Sequence, residues 1–230
     1  MKLPSVTKTK IVFTKVIQVA DEYAPKPATS FIPQWYKDLQ TRIPIEKRPD
    51  SKVTIKKCIP VLDAMTAGYI IVTSCDVYIK IEDGQPVYQN PLGIIEFHPM
   101  KQAHTAPFVN GYPFPKWINP WAIKTPKGYS TLFIAPLHNP NPWFEILPGI
   151  VDTDTYTASV NFPFVLKDPT KEVLIPAGTP IAQVIPIKRS SWVSDVVKTV
   201  PTEPSAVAVY LSSQFFDRYK RMFWERKEYK

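Results

Sequence analysis

Two carboxylates one residue apart, Asp152 and Asp154 in the stretch LPGIVDTDTY, carry the strongest chemical signal in this sequence. A carboxylate beside a strand end can take a proton from water as a general base, or it can hold a turn by accepting hydrogen bonds locally. The pair alone does not choose between these. Other reactive residue types are dispersed. His98, His104 and His138 have no i, i+4 spacing and no adjacent acidic ligand, so they do not read as a metal site. Cys58 and Cys75 lack C-x-x-C spacing and read as buried free thiols in strands. Ser130 and His138 have no nucleophile-elbow context, which leaves acyl transfer unsupported. The run YPFPKWINPW places Tyr112, Phe114, Trp117 and Trp121 close together. Such a cluster can stack bases, grip a proline-rich partner or form a satellite core under a long loop.

The elements that must position these residues follow from composition. A chain of 230 residues, 44% of them hydrophobic, can bury a real core. It has 26 prolines against 7 glycines, and proline is excluded from helix interiors and central strand ladders, so short strands, turns and extended loops are expected. From Val53 onward, runs such as VTIKKCIPVL, GYIIVTSCDVYIKIEDG, YSTLFIAPL and SVNFPFVL are rich in β-branched and aromatic residues and are bounded by Pro, Gly, Asn or Asp. That pattern predicts a closed or two-sheet β domain over 53–200. Residues 1–52 read as an arm that must pack on the rest or on a partner, with a strand near 10–20, a proline-rich linker and a short helix in SFIPQWYKDL anchored by Trp35 and Tyr36. After PTEPS, apolar residues recur at three-to-four spacing from Val207 to Phe223, which predicts an amphipathic helix over 206–228 in a C-terminal segment of 201–230.

The net charge of +8 favours solubility and some affinity for polyanions, but only TKTK and RYKRMFWERKEYK are densely basic, and both read as solvated faces. No apolar run is long enough to span a bilayer, and MKLPSVTKTK has no hydrophobic stretch after its charge, so no membrane partner is expected and synthesis in the cytosol is.

Four motifs in chain order resemble those of the dUTPase and dCTP-deaminase family: AGYI at 67–70, PKGYS at 126–130, GIVDTDTY at 149–156 and GTPIAQVIPI from Gly178. The resemblance implies an all-β fold, a dUTPase-like β-clip barrel that trimerises, here with an N-terminal extended arm and a C-terminal amphipathic helix. It also implies Asp152 as the water-activating residue, with Mg²⁺ as cofactor only if the protein is a nucleotide hydrolase. Tyr69, Lys127, Ser130, Asp154, Tyr156 and Gln183 fall at the positions implied to bind nucleotide, although Gln183 can equally satisfy backbone groups. Four departures stand against catalysis. Lys127, Gly128 and Tyr129 replace the family's arginine and serine pair, Ile70 replaces an acidic residue, the tyrosine after the second aspartate is displaced to Tyr156, and no glycine-rich C-terminal motif is present.

Over nearly its full length, through FIPQWYKDL, LDAMTAGYII, KWINPWAIKTPKGYS and GIVDTDTY…VNFPF, the chain also resembles a protein family that recurs in tailed-phage and bacterial genomes. That resemblance implies no activity, but it implies a viral setting: the host cytoplasm or the virion, with other phage proteins as partners. The resulting expectation is a non-enzymatic structural or binding protein, such as a head-decoration or assembly component, in a homo-oligomer, with a trimer favoured. The alternatives are a divergent deoxynucleoside triphosphate pyrophosphohydrolase using Asp152, and a protein that binds or sequesters nucleotide without turnover.

Overall fold

The structure is a computed structural model in which residues 9–44, 51–99, 114–196, 219–220 and 223–230 are described. The strands are mostly short, as a proline-rich chain should give, although several prolines sit within them, such as Pro86 opposite Ile81, Pro115 opposite Phe97 and Pro186 opposite Thr131. Four lie before Thr54: β1 (Val12–Lys15), β2 (Lys26–Pro27), β3 (Arg42–Pro44) and β4 (Ser51–Val53), with helix α1 (Gln34–Asp38) between β2 and β3. Helix α2 (Ile59–Thr66) follows. Next come β5 (Tyr69–Val72), β6 (Val77–Glu82), β7 (Gln85–Gln89), β8 (Ile95–His98), β9 (Phe114–Trp117) and β10 (Trp121–Lys124). The last six are β11 (Tyr129–Ile134), β12 (Phe144–Ile146), β13 (Gly149–Val151), β14 (Phe162–Leu166), β15 (Val173–Ile175) and β16 (Pro180–Lys188).

All the paired strands are antiparallel, and they form open sheets: β13-β11-β16-β5-β2, β12-β14-β9-β8 and β15-β6-β7, with the two-stranded β1-β10 and β3-β4 beside them. The fold is therefore mostly β, with few helices. No sheet closes on itself among the described residues, so the ladders do not form the barrel expected from the sequence; the sheets share one core cluster instead. The three larger sheets share one core, to which the first contributes Ile71, Phe133 and Val184, the second Trp117, Phe144, Ile146, Phe162 and Phe164, and the third Val77, Ile79 and Ile175. Trp117 stacks on Phe164 at 5.0 Å between ring centroids, within the range that offset aromatic pairs favour.

The segment 9–44 is not a separate layer. β1 pairs with β10, β2 pairs with β5, Ala28 and Tyr36 are buried, and Trp35 donates from Nε1 to the His138 carbonyl at 3.0 Å. The aromatic run 114–121 is core, with Phe114, Trp117 and Trp121 buried, so these rings are not offered to a partner; Tyr112 lies outside the described residues.

Three expectations change. VTIKKCIPVL is a 3₁₀ turn (Ile55–Lys57) and α2, not a strand; Pro60 sits in the first helical turn, where its absent N–H would have no partner anyway. GYIIVTSCDVYIKIEDG breaks after Val72 because buried Thr73 donates from Oγ1 to the Pro176 carbonyl and accepts from the Thr179 N–H, while Asp76 accepts from the Ala177 N–H. Cys75 is buried in this turn and Cys58 is half-buried ahead of α2, both as free thiols outside strands. The C-terminal helix does not run to 228. Tyr219–Lys220 is helical and its last turn closes through bonds from Phe223 and Trp224 to the Tyr219 carbonyl, but 224–230 has no regular structure. The extended course lets Tyr229 and Lys230 reach Tyr69. Residues 206–218 and 221–222 of the expected helix lie outside the described residues. Among those described, no helix is long and apolar enough to cross a membrane.

Candidate functional site

The register of β11 builds the site. Thr131 stands opposite Val151 on β13, so the next residue along, Asp152, leaves the strand beside Ser130. On its other side, β11 places Tyr129 opposite Lys188 of β16, so Arg189 emerges beside Gly128, whose carbonyl accepts the Arg189 N–H at 2.9 Å. Two strand ends thus converge on the turn 126–129, where Gly128 has φ +86 and suits the left-handed conformation.

The aspartates bond across elements rather than within their own turn. The turn after Asp152 is held by its carbonyl, which accepts from the backbone N–H groups of Thr155 and Tyr156 and from the Thr155 hydroxyl. The Asp152 carboxylate is left to accept from the Ser130 hydroxyl at 2.6 Å, with Arg189 Nη1 at 3.2 Å. The Asp154 carboxylate takes the Arg189 fork in a bidentate pair and also accepts the Gly128 N–H at 2.8 Å. Lys124 donates to the Asp154 carbonyl. Between the two, fully buried Thr153 joins the hydroxyls of Thr125 and Thr131, each at 2.7 Å, which fixes the loop from beneath.

The environments differ. The Asp154 side chain is 2% exposed, whereas that of Asp152 is 60% exposed. Arg189 first and the Gly128 N–H second hold the Asp154 carboxyl down at about 2, against an ordinary 3.8. Because this folded-state value lies below the unfolded one, protons bind the unfolded chain preferentially as pH falls. The Asp154 contribution is complete above pH about 4 and is lost as pH falls through about 2. Asp168, held at about 2 by Thr170 and Lys171, titrates in the same window. In urea melts between pH about 5 and about 2, the wild-type midpoint is expected to fall more steeply than that of Asp154→Asn. Equal slopes would mean that the Asp154–Arg189 pair adds no pH-dependent stability.

Of the residues marked out by sequence, Ser130, Asp152 and Asp154 come together. Lys127 is exposed in the adjoining turn, and Tyr156 is exposed at 45% just past the second aspartate. Tyr69 lines a separate groove that also touches Thr125 and Tyr129. Gln183 is 1% exposed, and its amide is spent on the backbone: Oε1 accepts the Leu137 N–H, and Nε2 donates to the carbonyls of Ala64 and Ala67. It is not placed to meet a ligand. Arg189 is the site residue that sequence reasoning missed. It immediately follows a strand, but only the pairing of that strand with β11 brings it to Ser130.

A divalent cation fits this donor set poorly. Mg²⁺ needs hard oxygen ligands in near-octahedral array, whereas both carboxylates here face Arg189, and no group of three or more acidic, His or Cys side chains among the described residues is arranged to hold a metal. The arrangement can hold a loop rigidly and present one exposed carboxylate beside a hydroxyl. The cation that would face a phosphate is already occupied.

No protein-family model matches the chain, and no curated protein matches it. Among solved structures, it is similar to the dUTPase of Staphylococcus bacteriophage 80alpha, solved as a variant with dUpNHpp. The identity is 13% and the TM-score 0.32, over 60% of this chain and 80% of that one.

Proposed function

We propose that the protein is a non-enzymatic structural or binding component of a phage, an oligomer that uses a dUTPase-like arrangement of strands as a scaffold. The observation that carries this reading is the commitment of Arg189. Its planar fork, the group best suited to grip a phosphate, is locked onto the buried Asp154 carboxylate and also faces Asp152, so this one guanidinium is already committed to two carboxylates within the site. The four departures from the motif pattern at Ile70, 127–129, Tyr156 and the C-terminal segment support the same reading. The phage setting rests on the full-length sequence resemblance, and the trimer on the motif resemblance. A second reading is favoured by one feature: the exposed Asp152 carboxylate beside Ser130 could still serve a pyrophosphohydrolase.

The test is native mass spectrometry of the protein with mixed deoxynucleoside triphosphates and Mg²⁺, reading both assemblies and free nucleotides. The expected result is an oligomer with all triphosphates intact. Conversion of one of them to its monophosphate, abolished in the nearly isosteric Asp152→Asn, would establish the hydrolase instead. Saturable binding without product would point to a sequestering role.

A further inference from the structure

Beside the aspartate site, and sharing none of its charged residues, lies a groove of about 750 Å³. Known ligand pockets span roughly 300–1,000 Å³. Its walls come from three places: Lys10 ahead of β1, Tyr69 and Tyr129 on the five-stranded sheet, and Arg226, Tyr229 and Lys230 of the C-terminal tail. The tail is anchored on α2. Asp63 on α2 accepts Trp224 Nε1 at 2.8 Å and Lys227 Nζ at 2.8 Å. Beyond this anchor, Tyr229 meets Tyr69 edge to face at 6.1 Å and 84°, and the Tyr69 hydroxyl donates to the Lys230 carbonyl.

We propose that this groove binds a small planar organic anion, an aromatic ring carrying a phosphate or a carboxylate, and that the anchored tail is one wall of the site. Three tyrosines supply faces and edges for a ring. The lining side chains favour an anion: Lys10, Arg226 and Lys230 against one acidic side chain, Glu228, which bridges the last two at 3.2 and 3.1 Å. A bound anion would share those two cations with Glu228 rather than meet a neutral rim. The proposal is independent of the oligomer reading and needs no reaction.

Ligand-observed NMR titration of the full chain with phenyl phosphate, benzoate and inorganic phosphate tests it. At least one aryl anion is expected to bind saturably, about tenfold or more tighter than inorganic phosphate, because ring stacking accounts for roughly that factor. Whichever aryl anion binds tighter identifies the charged group. Tyr229→Ala is expected to weaken binding about tenfold with no change in melting temperature, since the tail lies outside the core. Asp63→Ala, which removes the anchor, is expected to weaken binding similarly and to speed trypsin cleavage after Lys227. Absence of saturable aryl-anion binding, phosphate alone binding as tightly, or unchanged affinity in both variants would overturn the proposal.

Discussion

Replacing Phe164 with alanine is expected to lower the unfolding free energy by about 3–5 kcal/mol. The ring is fully buried at the meeting point of the sheets, stacked on Trp117 at 5.0 Å and set edge-on to Phe144 at 5.5 Å and Tyr88 at 6.0 Å. Each neighbour sits on a strand of its own, β9, β12 or β7, so no single segment can slide in to fill the space. The loss therefore includes both the transfer of the ring to water and the cavity left behind. Domains of this kind have roughly 5–15 kcal/mol in all, so this one change removes a large share. Urea denaturation measures it, with an unchanged m-value as the sign that the denatured state is unaltered. Leu174→Ala, on a residue 53% exposed on β15, is the control and is expected to change stability by about 0.5 kcal/mol or less. A loss at Phe164 no larger than the control would mean that the three sheets do not share one tight core.

The β character of this core was legible because it depends on local chemistry. Proline is disfavoured inside ladders and helices, β-branched and aromatic residues suit pleated surfaces, and alternation marks a half-buried strand. Phe162 and Phe164 in SVNFPFVL are an example, pointing the same way off β14 into the core. Where the sequence misleads, the deciding contact is remote. CIPVL, an apolar run expected to be part of a strand, folds as a helix instead. Its resolution as α2 is locked from β16, where Gln183 Nε2 takes the carbonyls of Ala64 and Ala67. In the site, Ser130, Asp152 and Asp154 were legible through the spacing of PKGYS and GIVDTDTY. The partner of Asp154 was not, because Arg189 arrives by strand register and not by sequence proximity. Lys127, one of the residues that replace the family's arginine and serine pair, stays exposed in the turn, while Arg189, itself partly exposed, takes the pairing with buried Asp154. The tail was misread for the same reason: charge and apolar spacing favour a helix, but the pull of Asp63 and Tyr69 comes from the other end of the fold.

Gly68, in the AGYI stretch, shows how a weak motif can carry a strong constraint, and Gly68→Ala is expected to be the most damaging change in the fold outside its core. The glycine links α2 to β5 with φ +69, in the left-handed region where a Cβ adds about 1–2 kcal/mol. The larger effect is steric. A Cβ there would stand 2.0 Å from the Val184 carbonyl oxygen and 3.1 Å from the Ile185 Cα, and both obstacles are backbone, which no rotamer change can move. Tyr69 pairs with Val184 in the very next position, and the Gly68 carbonyl accepts the Ala28 N–H, so relief would require prising β5 from β16 and loosening β2 as well. Together these terms place the loss among the largest seen for single substitutions, about 4–5 kcal/mol. Gly128→Ala separates the two contributions. It has φ +86 but nothing within 4 Å of its added Cβ, so only the conformational part, about 1–2 kcal/mol, is expected. Equal losses for the two variants in urea melts would show that β5 and β16 do not approach as closely as the geometry at Gly68 requires. A much larger loss at Gly68 would identify the close contact between these strands as the reason this position holds glycine.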